Sequence, residues 1–173
     1  MLIRILGIAV VLVASCGLGF RISYEFLYRI EDLQQIKRVI VMLRGEIKYA
    51  NAPLTEALSA IALRVPAPWK DFLKEMTETM EAYGGDTFAS IFQTLQKKYL
   101  DRTSLLPKDI SRLSEFGANL GYLDKEMQIG SIDLYLEELE GQIVQAGEKA
   151  EKNSKLYRIM GMAVGMLILL IIL

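Results

Sequence analysis

The strongest constraint on this chain is where its charge is absent. Residues 1–20 carry a single charge, Arg4, in an otherwise almost wholly apolar run, and residues 159–173 carry none. Every acidic residue lies between these ends. As a helix the first run covers roughly 30 Å, about one hydrocarbon core. Residues 156–173 cover roughly 27 Å with Arg158 snorkelling to the interface. The expectation is an N-terminal transmembrane helix over 1–20, a helical domain over 21–155 and a C-terminal transmembrane helix over 156–173.

Lys and Arg near the two ends set the expected orientation. Arg21 and Arg29 follow the first run, and Lys149, Lys152, Lys155 and Arg158 precede the second. Only Arg4 and the amino terminus lie on the far side. The middle domain is therefore expected in the cytoplasm, at the cell membrane and in contact with membrane lipid. Two other readings of the first run stay open: a cleaved signal peptide, and a lipoprotein signal ending Val13-Ala14-Ser15-Cys16. The thin positive n-region argues against export, as does the Lys-rich approach to the second run. Gly161 and Gly165 form a GxxxG that lets two backbones approach closely in a membrane. The partner is either the first run, where Ser15 and Gly19 have the same spacing, or another copy of the chain.

The chemistry is bounded by what is missing. The chain has no histidine, which removes imidazole bases, HExxH zinc sites and Ser-His or Cys-His pairs. Its one cysteine, Cys16, cannot form an internal disulfide. No GxxxxGK[ST] or GxGxxG is present to cradle a nucleotide. A net charge of −1 with no basic run argues against nucleic acid. The expectation is no catalytic residue, no metal, no cofactor and no enzyme activity.

Between the ends the reading is helical throughout. Breakers fall at Asn51-Ala52-Pro53, Pro66-Ala67-Pro68, Gly84-Gly85-Asp86, Asp101 to Pro107 and Gly117 to Asp124. No alternating β-branched run suggests a strand. Ile22, Phe26, Leu33, Ile36, Ile40, Leu43, Ile47 and Ala50 follow heptad spacing. So do Ile129, Ile132, Leu136, Leu139, Ile143, Ala146, Ala150, Asn153 and Tyr157. Two such seams predict an antiparallel stalk of roughly 40 Å. Four shorter amphipathic helices lie between them: 54–63, 68–83, 87–99 and 107–120. The fold class is all-α, a bundle of short helices between two long ones that continue into the terminal spans.

The stretch Phe116-Gly117-Ala-Asn-Leu120-Gly121-Tyr-Leu-Asp124 reads as a tight αα corner. Gly121 is expected in the left-handed conformation that closes a helix. Asp124 is expected to cap the next helix, and Gly117 to admit a neighbouring helix.

Three blocks of sequence carry a resemblance. Glu46-Ile-Lys-Tyr-Ala-Asn-Ala-Pro53-Leu54-Thr-Glu56-Ala57 is similar to E-I-x-Y-x-x-x-P-L-x-E-A. Phe116 to Gln128 with Ile132 is similar to F-G-x-x-L-G-x-x-D-x-x-x-Q-x-x-x-I. Glu151 to Leu173 resembles a basic approach to a closing span. Over nearly its whole length the chain resembles the stage III sporulation protein AB family. More distantly it resembles the inner-membrane platform proteins of type II secretion and type IV pili. Those proteins carry an acid after the first glycine of their G-x-x-x-G-x-L motif, where this chain has Ala118, so that acid's role does not transfer. The resemblance implies a scaffold in the mother-cell membrane, within the secretion-like complex that links mother cell and forespore during engulfment. It implies a cytosolic secretion-type ATPase and other channel subunits as partners. Glu46, Tyr49, Glu56, Asp124 and Gln128 are the expected partner-binding residues, with Gly117 and Gly121 forming the corner. Two rival functions remain: a structural membrane protein assembling as a homo-oligomer, and an exported lipoprotein with a helical ligand-binding domain.

Overall fold

A computed structural model describes the backbone of residues 2–82, 84–121 and 123–172 and the side chains of 24–82, 84–121, 123–152 and 159. Six α-helices and no strand occur among the described residues. They are α1 (Leu2–Gly45), α2 (Leu54–Ala62), α3 (Trp69–Glu81), α4 (Phe88–Leu100), α5 (Pro107–Leu120) and α6 (Lys125–Ile172), with a π-helical turn, Glu46–Ala50, directly after α1. The all-α expectation holds.

The flanking transmembrane helices do not. Among the described residues no helix is long and apolar enough to cross a membrane. The described parts of α1 and α6 bury one stripe and turn charged residues such as Arg38 and Glu137 outward. The run 1–20 and, apart from the exposed Ile159, the run 156–173 lie outside the described side chains, as do Gly161, Gly165 and Cys16.

The chain divides into two compact units, residues 32–142 and residues 1–31 with 143–173. In the second of these, Arg29, Ala146 and Ala150 are buried, while Tyr24 and Tyr28 are exposed with their rings 6.4 Å apart.

In the 32–142 unit, α1 and α6 run antiparallel. Lys37 pairs with Glu140 at 2.7 Å, and Arg44 with Asp133 through a two-pronged contact. Lys37 and Arg44 are one heptad apart going forward, and Glu140 and Asp133 one heptad apart going back. These partly exposed pairs set register more than they stabilise. Stability comes from the apolar seam between them. Leu33, Ile36, Ile40, Leu43 and Ile47 are buried from α1 and the π-turn, and Ile132 and Leu139 from α6.

The short helices bury the faces their spacing predicts. Ala57, Leu58, Ile61 and Ala62 are buried on α2, and Trp69, Phe72, Leu73 and Met76 on α3. Ile91, Phe92 and Leu95 are buried on α4, and Leu113, Phe116 and Leu120 on α5. Burial of each leucine, isoleucine, phenylalanine or methionine among them supplies about 1.5–3 kcal/mol. Trp69, Phe72 and Phe92 form a run of edge-to-face contacts at 5.6 and 5.4 Å through the middle. Thr87 caps α4 by accepting from Ser90 N at 3.2 Å, and Pro107 opens α5 where its missing N–H costs nothing.

Candidate functional site

The corner expected after α5 is present, but its glycines act by a different means. Gly121 has φ −73° and ψ −15°, ordinary right-handed values, so it does not close the helix by a left-handed turn. The reason for glycine is steric. A Cβ on Gly121 would lie 2.6 Å from Phe88 Cβ, and one on Gly117 would lie 2.6 Å from the Phe92 ring. The two glycines are one helical turn apart on α5, and the two phenylalanines one turn apart on α4. Together they let α4 and α5 pack ring against backbone.

Asp124 caps α6 as expected. Its carboxylate accepts from Met127 N at 2.9 Å, and its carbonyl accepts from Gln128 N at 2.8 Å. The Gln128 amide reaches back and donates to Leu120 O at 3.1 Å, satisfying a terminal carbonyl of α5. Asp124 and Gln128 are therefore both committed to holding the corner.

The other motif block folds into the π-turn. Asn51, at φ 55° and ψ 28°, sends its N–H back to Glu46 O, and Ala52 N reaches the same carbonyl at 3.2 Å. Asparagine tolerates this left-handed conformation better than most residues. The reversal gives the chain its exit toward Pro53 and α2. Glu46 is largely covered, its side chain 17% exposed, and accepts from Arg64 at 3.0 Å. Asn51 accepts from the Lys125 ammonium at the start of α6. That bond brings the two blocks to one end of the unit. Tyr49 projects there, 77% exposed, with the Lys48 ammonium 5.6 Å from its ring centroid. Glu56 is exposed on the side of α2 away from Leu58 and Ile61. Ala50, expected in the stalk seam, is exposed, because the π-turn rotates it out of register.

A polar network that the sequence did not announce lies farther along α5. Asp109 is buried and accepts from Leu106 N at 2.9 Å. With its amide turned to satisfy both neighbours, Gln142 donates to Asp109 at 3.1 Å and accepts from Arg112 at 3.0 Å. Tyr135 stacks on Phe116 with centroids 4.5 Å apart. Burial, reinforced by the Asp109 carboxylate, pushes the Tyr135 phenol well above its ordinary pKa. The signal that could have found these residues is the α6 spacing itself, where Tyr135 and Gln142 continue the Ile132–Leu139 face. Among the described residues no group of three or more His, Cys, Asp or Glu side chains could hold a metal ion.

This arrangement leaves one aromatic, Tyr49, and one acid, Glu56, exposed beside the bonded motif blocks. Comparison with known proteins agrees with the motifs. Residues 4–173 match the family model described as stage III sporulation protein AB. A curated relative, stage III sporulation protein AB of Bacillus subtilis (strain 168), is 26% identical over 171 residues, covering 99% of each chain. A solved structure of stage III sporulation protein AB (SpoIIIAB) superposes with a TM-score of 0.63 at 26% identity, covering 71% of this chain and 96% of that one. A family match over all but three residues, with a fold match at the same identity, leads to one conclusion: the chain belongs to the stage III sporulation protein AB family.

Proposed function

We propose that the protein is a scaffold subunit of a secretion-like channel complex between mother cell and forespore. It is held at the mother-cell membrane with the helical unit on the cytosolic side, where it docks a cytosolic secretion-type ATPase and other channel subunits. Family membership supports the sporulation role and a structural, non-enzymatic one. One observation carries the docking assignment. The Lys125–Asn51 bond places the two family-like blocks at one end, and that end presents Tyr49 and Glu56 to solvent. Glu46, Asp124 and Gln128 belong to the same surface but serve it from behind, through Arg64, Met127 and Leu120. Tyrosine is a frequent anchor at interfaces, because it offers a large amphipathic area at low entropic cost.

The test is co-purification of the full-length chain with the ATPase from sporulating cells. Tyr49→Ala and Glu56→Lys should lower recovery while leaving thermal unfolding unchanged. Gln93→Ala, on the exposed side of α4, serves as the control. Full recovery with both folded variants would remove this end from the interface. Labelling of a cysteine placed at Glu56 by a membrane-impermeant reagent in intact cells would overturn the cytosolic placement.

A further inference from the structure

Helix α6 has two faces in the 32–142 unit, and the bundle uses only one. Ile132, Tyr135, Leu139 and Gln142 point inward and are buried. The opposite face carries Met127, Gly130, Leu134, Glu137 and Gly141, spaced by three and four residues along a straight stripe. All five are exposed, and Met127 and Leu134 are 57% and 61% accessible. We propose that this outward stripe is a second docking surface, occupied by a helix of another protein that carries apolar residues bordered by lysine or arginine. The proposal goes beyond the docking assigned to the π-turn end and involves a different face.

Three observations carry it. The first is the glycines. Glycine is a poor helix former compared with alanine, so a mid-helix glycine calls for a steric reason. Gly117 and Gly121 have one inside the bundle, since a Cβ at either would strike a phenylalanine. Gly130 and Gly141 have none, because a Cβ at either would meet nothing within 4 Å. They lie on one face of α6, eleven residues apart, and flank Leu134 with low ground on either side. Such a profile admits the close approach of a second helix.

The second is charge. Between Lys125 and Gln142 the helix has five acids, Glu126, Asp133, Glu137, Glu138 and Glu140, against the single base Lys125. Asp133 and Glu140 are answered by Arg44 and Lys37 of α1, and Lys125 is engaged by Asn51. Glu126, Glu137 and Glu138 remain as the border of the stripe, all exposed. A second copy of α6 laid on this face would set carboxylate against carboxylate. A basic helix is the complementary partner, and complementarity of this kind also steers encounter.

The third lies beside Leu134. It is an open groove of about 140 Å³ between α5 and α6, lined by Glu115, Glu138, Asn119 and Ser131 with the stacked Phe116 and Tyr135 rings. Arg112 also lines it, so the groove's charged side chains are two carboxylates and one guanidinium. The balance is one negative charge beside a pair of aromatic rings, which suits the stem and head of an inserted lysine or arginine.

The test places a photo-crosslinking amino acid at position 134 of the full-length chain in sporulating cells, with position 93 as control, and maps the captured peptide by mass spectrometry. The expected product is one segment of another protein, helical in pattern and rich in Lys or Arg. Its yield should fall about tenfold or more in Glu137→Lys/Glu138→Lys and return when the segment's bases are changed to Glu. Gly130→Leu and Gly141→Leu should keep or raise the midpoint of thermal unfolding yet lose the crosslink, which separates docking from folding. Capture of a second copy of this chain overturns the proposal. So does a segment without bases, a yield at 134 no higher than at 93, or a yield indifferent to charge reversal. Recovery of the ATPase in the Gly130→Leu and Gly141→Leu variants reports separately on the π-turn end.

Discussion

Consider replacing Gly117 by alanine. The new Cβ would sit 2.6 Å from the Phe92 ring, about 1 Å short of ordinary contact. Phe92 cannot simply swing away. Its ring is buried, packs edge-to-face on Phe72 at 5.4 Å, and lies 6.0 Å from Phe88. Either α4 lifts from α5 or the ring leaves its rotamer, and overpacking of this kind costs about 1–3 kcal/mol. Against it stands the gain from replacing a helical glycine, about 1 kcal/mol. The balance is a loss of about 0–2 kcal/mol, or a fall of up to roughly 8 °C in Tm for a chain of this size. Gly130→Ala provides the matched comparison: it has the same gain in propensity and no clash, so Tm should rise by up to about 3 °C. Phe92→Leu should reduce the Gly117→Ala penalty, with a coupling of about 0.5–3 kcal/mol in a double-mutant cycle. Circular dichroism melts of the four variants suffice. If Gly117→Ala is as stable as Gly130→Ala, the close approach of α4 to α5 is not what requires glycine there.

Other perturbations test other parts of the unit. Asp124→Ala removes the cap of α6 and should cost about 0.5–2 kcal/mol in urea unfolding, with Asp124→Asn or Asp124→Ser recovering most of it. Asp109→Ala leaves the Leu106 N–H and the Gln142 amide without their buried acceptor and should cost about 1–3 kcal/mol; hydrogen exchange at Leu106 should accelerate. The Glu75 carboxyl is held below its ordinary range by hydrogen bonds from Lys98 and from the Tyr99 hydroxyl. A depressed carboxyl stabilises the fold above the ordinary value of 4.5 and loses that contribution as pH falls through the depressed one. Glu75→Gln should therefore weaken the fold at about pH 7 and leave it nearly unchanged at about pH 2, read from urea midpoints at the two pH values.

Much of the bundle could be read from spacing, because amphipathic helices announce both their period and their ends. Pro107 and Leu120 bound α5 as expected, and the turn at Gly84-Gly85-Asp86 leads to the Thr87 cap. What escaped notice shares a physical cause: a polar residue became part of the interior by satisfying its own chemistry. A seam sought among aliphatic residues picks Leu136 and Ile143 on α6. The structure instead buries Tyr135 and Gln142 and leaves those two half-exposed. Tyr135 enters by stacking on Phe116 and Gln142 by bonding Asp109 and Arg112. Neither partner can be inferred from the local pattern of α6. The π-turn was hidden for a related reason. Its geometry follows from the left-handed Asn51, which is held by Lys125 from a helix 74 residues further on.

The candidate site shows the same division. Five residues were expected to meet a partner, and hydrogen bonding sorts them. Glu46, Asp124 and Gln128 each have an internal acceptor or donor, whereas Tyr49 and Glu56 extend into solvent. The first group explains how the second is presented. Gln128 ties α6 to the end of α5, Lys125 ties α6 to Asn51, and Glu46 ties the π-turn to Arg64 beyond α2. Three bonds thereby link the end of α5, the start of α6, the π-turn and the segment after α2. These bonds are already made in the free protein, so the side chains they hold have less conformational entropy to lose on binding. That is what a scaffold requires. The contribution proposed for it is position, and position is held by bonds within the chain.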